Sequence, residues 1–312
     1  MLELPDAWVW DFWIADDGER FHLFFLRASR ALLDPDRRHR RASVGHAVSA
    51  DLRTWTLRAD ALVAADAPAP DDLAIWTGCV VRGPDGGPWH FFYTGVTDVG
   101  GALVQTTCLA TSPELDTWTR HPDNPVLRAD PRWYDTLATG AADEPWRDAW
   151  VFPDRHGEGW HLIATARSLT GPSGDRGVVG HGWSPDLVRW ESRPPLTPPG
   201  SGFDQLEVTQ VEIVDGRPLL LFSCLHAELA PARRLEEPTG GIWAAAGTPG
   251  GDEFDALADV RSARLISDDR LYVGRTIRDR NGEWVLMAFH NRGADGTFVG
   301  AISDPMPLPR PW

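Results

Sequence analysis

The chain writes nearly the same seven residues three times: Ser49-Ala-Asp-Leu-Arg-Thr-Trp55, Ser112-Pro-Glu-Leu-Asp-Thr-Trp118 and Ser184-Pro-Asp-Leu-Val-Arg-Trp190. A phrase that returns at wide, similar intervals marks a structural unit used repeatedly. A second phrase runs beside it, at Gly18-Glu-Arg-Phe-His-Leu-Phe-Phe, Gly87-Pro-Trp-His-Phe-Phe-Tyr, Gly159-Trp-His-Leu-Ile-Ala, Gly216-Arg-Pro-Leu-Leu-Leu-Phe and Gly282-Glu-Trp-Val-Leu-Met-Ala-Phe. Each is a turn glycine followed by an aromatic and aliphatic run, which reads as a buried strand. Asp/Gly/Pro turns such as Asp16-Asp17-Gly18 and Pro84-Asp85-Gly86 separate the runs, and no long stretch has helical periodicity. Five units of several short strands each predict an all-β, single-domain five-bladed β-propeller over residues 1–312. A solenoid is the rival, but its repeats are shorter, about 20–47 residues.

The five units use almost all of the 312 residues, leaving no room for a second module. Three cysteines, Cys79, Cys108 and Cys224, cannot build a disulfide framework, and none has metal-site spacing. No metal and no cofactor are expected. The N-terminus lacks a basic segment leading into an apolar run, so the expected location is cytoplasmic. No apolar stretch approaches the roughly 20 residues of a membrane helix, so no membrane partner is expected. A formal charge of −15 with no basic stripe argues against nucleic acid. Sixteen tryptophans leave some to line a site after the blade cores are filled, and indole faces stack on sugar rings.

In a propeller the first strand of each blade lines the central channel, and the glycine-led strand follows it. Counting back from each glycine reaches Trp8-Val-Trp10-Asp11-Phe12-Trp13, Ile75-Trp76-Thr77-Gly78, Trp146-Arg147-Asp148-Ala149-Trp150, Gln205-Leu206-Glu207-Val208-Thr209-Gln210 and Asp268-Asp269-Arg270-Leu271-Tyr272. Asp11, Asp148 and Glu207 thus fall at matched addresses within apolar sequence. A carboxylate costs several kcal/mol to bury without partners, so three on converging strands point to a common pocket. Separate structural ion pairs with arginine are the bland alternative. Two opposed carboxyls, one a proton donor and one a nucleophile or base, are what cleavage of a glycosidic bond requires. Arg147 would orient the third, and Trp10, Trp13, Trp76 and Tyr272 are candidate substrate-binding walls.

At these residues the chain resembles glycoside hydrolase family 32, the β-fructosidases, and its relatives in families 68 and 43. The family's Trp-Met-Asn-Asp-Pro-Asn-Gly segment, whose Asp is the nucleophile, is similar to Trp8-Val-Trp-Asp11-Phe-Trp. Its Arg-Asp-Pro motif, whose Asp stabilises the transition state, is similar to Arg147-Asp148-Ala149, and its Glu-Cys-Pro motif, with the acid/base Glu, to Glu207-Val208-Thr209. Each motif keeps its carboxylate and loses its neighbours. The C-terminal β-sandwich usual in the family is not among the 312 residues. The resemblance implies a retaining β-fructofuranosidase acting on a small furanoside or short oligosaccharide, with Asp11 as nucleophile, Glu207 as acid/base and Asp148 holding the furanose hydroxyls.

Other readings stay open. An inverting family 43-like arabinofuranosidase or xylosidase would use the same three carboxyls, with a wider separation. A fructosyltransferase would differ only in its acceptor, and a catalytically dead carbohydrate-binding propeller only in the loss of turnover. His22, His90 and His161 share one address in the glycine-led strand and read as packing; His46 occupies a repeat position too and is assigned no role. Asp268 and Asp269 read either as a solvated turn or as ligands of a sugar hydroxyl or a structural cation. The loop from Ser168 to Arg176 is a candidate to overhang the pocket.

Overall fold

Five antiparallel sheets follow one another along the chain and close into a ring, the five-bladed propeller expected from the repeats. This computed structural model describes residues 1–310, so the last two positions of the expected 1–312 domain lie outside the described residues. Blade one holds β1 (Ala7–Asp16), β2 (Phe21–Ser29), β3 (Ser43–Ser49) and β4 (Thr56–Leu57). Blade two holds β5 (Ala74–Arg82), β6 (Trp89–Val99), β7 (Ala102–Ser112) and β8 (Thr119–Arg120). Blade three holds β9 (Trp146–Pro153), β10 (Trp160–Arg167), β11 (Gly177–Ser184) and β12 (Glu191–Arg193). Blade four holds β13 (Glu207–Val214), β14 (Arg217–Cys224), β15 (Gly241–Ala246) and β16 (Arg264–Asp268), with short helices α1 (Pro231–Glu236) and α2 (Glu253–Leu257) in its outer connections. Blade five holds β17 (Leu271–Arg278), β18 (Trp284–Arg292), β19 (Phe298–Ile302) and β20 (Met306–Pro307), the last two sharing one edge of β18. The chain start closes the ring: Leu2 and Ile302 exchange two backbone hydrogen bonds of 2.9 Å.

The thrice-written phrase closes the outer turn between the third and fourth strands of blades one to three. Its acid caps that turn, Asp51 accepting from the Thr54 N–H at 2.8 Å and Asp186 from Arg189 at 2.9 Å. Its leucine, Leu52, Leu115 or Leu187, takes a left-handed backbone and is buried beneath the turn. A buried leucine at positive φ is uncommon, so a repeated burial site explains why the phrase is repeated.

The channel-lining strands share one irregularity. Each pairs regularly with its neighbour up to Trp10, Trp76, Arg147, Glu207 or Tyr272, and there a β-bulge intervenes. A bulge leaves a residue out of the ladder and re-aims its side chain. In blades three to five the next residue, Asp148, Val208 or Val273, is left-handed. Its N–H is drawn to a hydroxyl of the preceding blade: Asp148 to Thr94 at 2.9 Å, Val208 to Thr165 at 3.2 Å and Val273 to Ser223 at 2.9 Å. In blade two the bulge requires glycine, because a Cβ on Gly78 would lie 1.9 Å from the Phe92 carbonyl oxygen.

Between blades the core is aromatic, with Trp13 packed against Phe24 of its own blade and Phe91 of the next. The histidines serve packing, as their shared address indicated. His22 stacks on His46, Nδ1 to Nε2 at 3.0 Å, and His161 pairs the same way with His181 at 3.0 Å. His90 stacks on Phe92 and bonds the Pro88 carbonyl. Burial holds His46 down at about 3 and His181 at about 4, so both stay neutral in the fold. The unfolded chain binds protons below about pH 6.5, where these two sites do not. Their stability contribution is therefore complete above that pH and is lost as pH falls toward 4. Denaturant midpoints should drop between pH 7.5 and 4.5, and His46→Phe, which keeps the stacked ring, should flatten that slope; an unchanged slope would contradict this account.

Candidate active site

The bulge in β1 leaves Asp11 unpaired, with its carboxyl on a cavity of about 860 Å³ at one mouth of the channel. Thr77, in the corresponding bulge of blade two, donates its hydroxyl to Asp11 Oδ2 at 2.5 Å. Burial pushes the Asp11 carboxyl up to about 7; Asp148 and Glu207 add to the rise, while Thr77 and Arg38 oppose it.

Asp148 is more deeply buried, and its left-handed backbone turns it toward the same cavity. Its Oδ2 accepts from the Thr165 hydroxyl at 2.7 Å and the Val208 N–H at 3.2 Å, with Arg147 Nε at 3.4 Å. Burial raises its carboxyl, Arg147 pulls it back, and Glu207 raises it again.

Glu207 is gripped at both oxygens. Arg147 Nη2 donates to Oε1 at 2.6 Å and the Tyr272 hydroxyl to Oε2 at 2.5 Å. Tyr272 can donate or accept, so its bond survives protonation of Glu207 by reversing direction. Arg147 is itself fixed, donating to Gln105 at 3.3 Å and Gln205 at 3.1 Å.

Asp11, Asp148, Glu207, Arg147, Trp10, Trp76 and Tyr272 therefore converge on one cavity. Trp13 does not: its indole is fully buried in the core between blades one and two. It lies past the bulge, on the part of β1 that descends toward the opposite mouth. A second difference concerns register. Asp11 and Asp148 share a position with Thr77, Val208 and Val273, whereas Glu207 sits one residue earlier, level with Trp10, Trp76, Arg147 and Tyr272. The three acids meet because each strand is re-aimed by its bulge, not because they share one rung.

The segment Ser168–Arg176 folds back on itself, Ser168 N–H to the Arg176 carbonyl at 2.8 Å, and does not line the cavity; Arg167, just before it, does. Asp268 pairs with Arg270 at 2.9 Å and Asp269 with Arg292 at 3.2 Å; neither aspartate lines the cavity, although Arg292 does. The overhang comes instead from the 3₁₀ turn Pro35–Arg41 between β2 and β3. There Arg38 lies 4.0 Å from the Phe298 ring and 5.5 Å from Trp10, and the His39 carbonyl accepts from Trp76 Nε1 at 2.7 Å. Glu228, on the connection after β14, also faces the cavity; burial and the neighbouring Glu207 push it up to about 8. Neither Arg38 nor Glu228 lies on a channel-lining strand, so counting along the repeat could not reach them. The adjacency in Gln205-Leu206-Glu207 was the one available signal for Gln205. Among the described residues no three His, Cys, Asp or Glu side chains cluster as a metal site.

The family model for the glycosyl hydrolases family 32 N-terminal domain matches residues 14–215. That span holds Asp148 and Glu207 and begins just after Asp11. Solved structures carry the same fold. A family 32 β-fructofuranosidase from Bombyx mori superposes with TM-score 0.71 at 21% identity, covering 97% of this chain and 60% of that one. An inulosucrase from Halalkalicoccus jeotgali, solved with kestose bound, gives 0.73 at 19% identity, covering 97% and 86%. Fructan 1-exohydrolase IIa from Cichorium intybus gives 0.70 at 18% identity, covering 97% and 56%. The chain thus spans 60% of the Bombyx mori protein. No curated protein sequence matches.

Because the Thr77 hydroxyl stabilises ionised Asp11, Thr77→Val should raise the Asp11 carboxyl further, by on the order of half a unit or more. A ¹³C-carboxyl NMR titration, with the Asp11 signal assigned through Asp11→Asn, reads this directly. An unmoved titration would refute the role given to Thr77.

Proposed function

The chain belongs to glycosyl hydrolase family 32, and from its carboxyl arrangement we propose that it releases terminal β-fructofuranosyl units with retention of configuration. The observation that carries this reading is the division of labour between two carboxyls. Asp11 has one oxygen held by Thr77, while Glu207 is held at both by Arg147 and Tyr272. The first is oriented for attack and the second for proton exchange.

The free Asp11 oxygen attacks the anomeric carbon as the bond to the leaving oxygen breaks. Glu207 gives its proton to that oxygen, and a fructosyl ester on Asp11 results. Glu207, now ionised, takes a proton from water; the water oxygen bonds the anomeric carbon and the Asp11 carboxylate departs. Asp148, aligned by Arg147 and Thr165, faces the positive charge that develops on the ring. Trp10 and Trp76 supply the apolar wall, and the cavity volume suits a short oligosaccharide.

The inverting alternative needs the two carboxyls about 6.5–9.5 Å apart, against about 5–5.5 Å for retention. It also predicts the opposite first-formed anomer. A panel of short fructans and nitrophenyl fructo-, arabino- and xylosides, followed by NMR of the initial product, separates these outcomes. The expected result is cleavage confined to fructosides with the β-anomer formed first. Asp11→Ala and Glu207→Ala should each lower kcat/KM by about 10²–10⁴-fold or more with the fold retained by circular dichroism. Near-normal turnover in either variant, or binding of a fructoside with no product from the unaltered chain, would refute the assignment.

A further inference from the structure

Arg275 is 2% exposed, a buried arginine at the blade position that holds Trp13, Cys79, Trp150 and Gln210 in the other four blades. It lies on β17 three residues past Tyr272, where the strand has left the carboxyl cavity and descends toward the opposite mouth. There it lines a second, smaller cavity of about 270 Å³ with Glu212, Trp150 and Trp284. Its guanidinium reaches every other blade. Nε donates to the Phe12 carbonyl of blade one at 3.3 Å and Nη1 to the Thr209 carbonyl of blade four at 2.9 Å. It stacks 5.0 Å from the Trp150 ring of blade three and faces Cys79 of blade two. Nη2 has no hydrogen-bond partner among the described residues.

The two carbonyls are the informative contacts. Phe12 follows Asp11 directly, and Thr209 belongs to the bulge that begins at Glu207. One guanidinium therefore ties together the two bulges that carry the attacking and proton-transferring carboxyls. Buried arginine is costly unless its charge is answered, and the acids facing Arg275 are Asp148, Asp11 and Glu212. Two of those three belong to the site on the other side of the channel floor.

We propose that Arg275 is a positioning residue: it clamps the Asp11 and Glu207 bulges across the channel and lends the Asp11–Asp148 pair a cation from beneath. The proposal deepens the fructosidase reading and rests on it for its kinetic test alone. The groups facing Asp11 are Asp148, Glu207 and the Thr77 hydroxyl, with Arg38 at the rim and Arg275 beneath. The groups facing Asp148 are Arg147, Glu207, Thr165 and the Val208 N–H. Arg38 and Arg147 approach from the cavity side, so removing Arg275 deletes the cation below and leaves those above in place. Loss of a nearby positive charge disfavours the ionised carboxyl, and the Asp11 titration must move upward.

Arg275→Gln keeps a donor for one carbonyl and removes the charge, whereas Arg275→Lys keeps the charge and loses the fork geometry. In the full chain, ¹³C-carboxyl NMR should show Asp11 titrating higher in Arg275→Gln by on the order of half a unit, and returning toward the original value in Arg275→Lys. On a cleaved fructoside the acid limb of kcat/KM should move the same way, with KM changed less than kcat. The NMR readout needs no turnover, so a chain that cleaves nothing would sink the fructosidase reading and leave this test standing. An Asp11 titration unmoved in a folded Arg275→Gln variant, or failure of both variants to fold, assigns Arg275 to the scaffold alone and overturns the proposal.

Discussion

The bulge at the same depth in each channel-lining strand is the constraint on which the site depends. A regular strand would send successive side chains alternately to the two faces of its blade. One extra residue breaks that alternation and turns a side chain toward the axis. In blades three to five the turn is made by a left-handed residue other than glycine, a conformation that costs of order 1–3 kcal/mol. The cost is offset locally: each of these N–H groups finds a hydroxyl on the preceding blade, Thr94, Thr165 or Ser223. The same bonds that hold the bulges therefore hold neighbouring blades together. Fold and site share one set of contacts.

Electrostatics sets the second condition. Three acids sit around one cavity, and burial together with neighbouring like charge raises Asp11 and Asp148. The chain answers with arginine placed from different directions. Arg147 lies between Asp148 and Glu207, Arg38 stands at the rim near Asp11, and Arg275 sits below. Asp11 still ends near neutrality, at about 7, poised between its two protonation states. Such a group responds to small changes in its neighbours, which makes its titration an informative probe of the whole arrangement.

Much of this was legible in the sequence, because repetition carries both fold and register. The seven-residue phrase and the glycine-led strands gave five blades, and counting back from the glycines reached the channel-lining strands. Asp11, Asp148 and Glu207 emerged because a carboxylate amid apolar residues is conspicuous. The exact rung of Glu207 was not legible. The hairpin turns after β1 and β9 differ in length, so the count from the glycine to one rung varies by several residues between blades, and bulges leave no mark in composition. Trp10 and Trp13 look alike in sequence, yet only the first lies above the bulge. Arg38 and Glu228 sit on connections between strands, where the repeat gives no address. Arg275 was invisible for a different reason: its partners are carbonyl oxygens, which every residue has.

The central claim is that the β1 bulge presents Asp11 as a nucleophile to the anomeric carbon. It is tested most directly by trapping the ester. A Glu207→Ala variant given a fructoside with a good leaving group can complete the first displacement but lacks the base for the second. Rapid acid quench, digestion and mass spectrometry should then find a hexosyl adduct on the peptide that contains Asp11. Turnover of that substrate with no adduct and with the inverted anomer formed first would contradict the account.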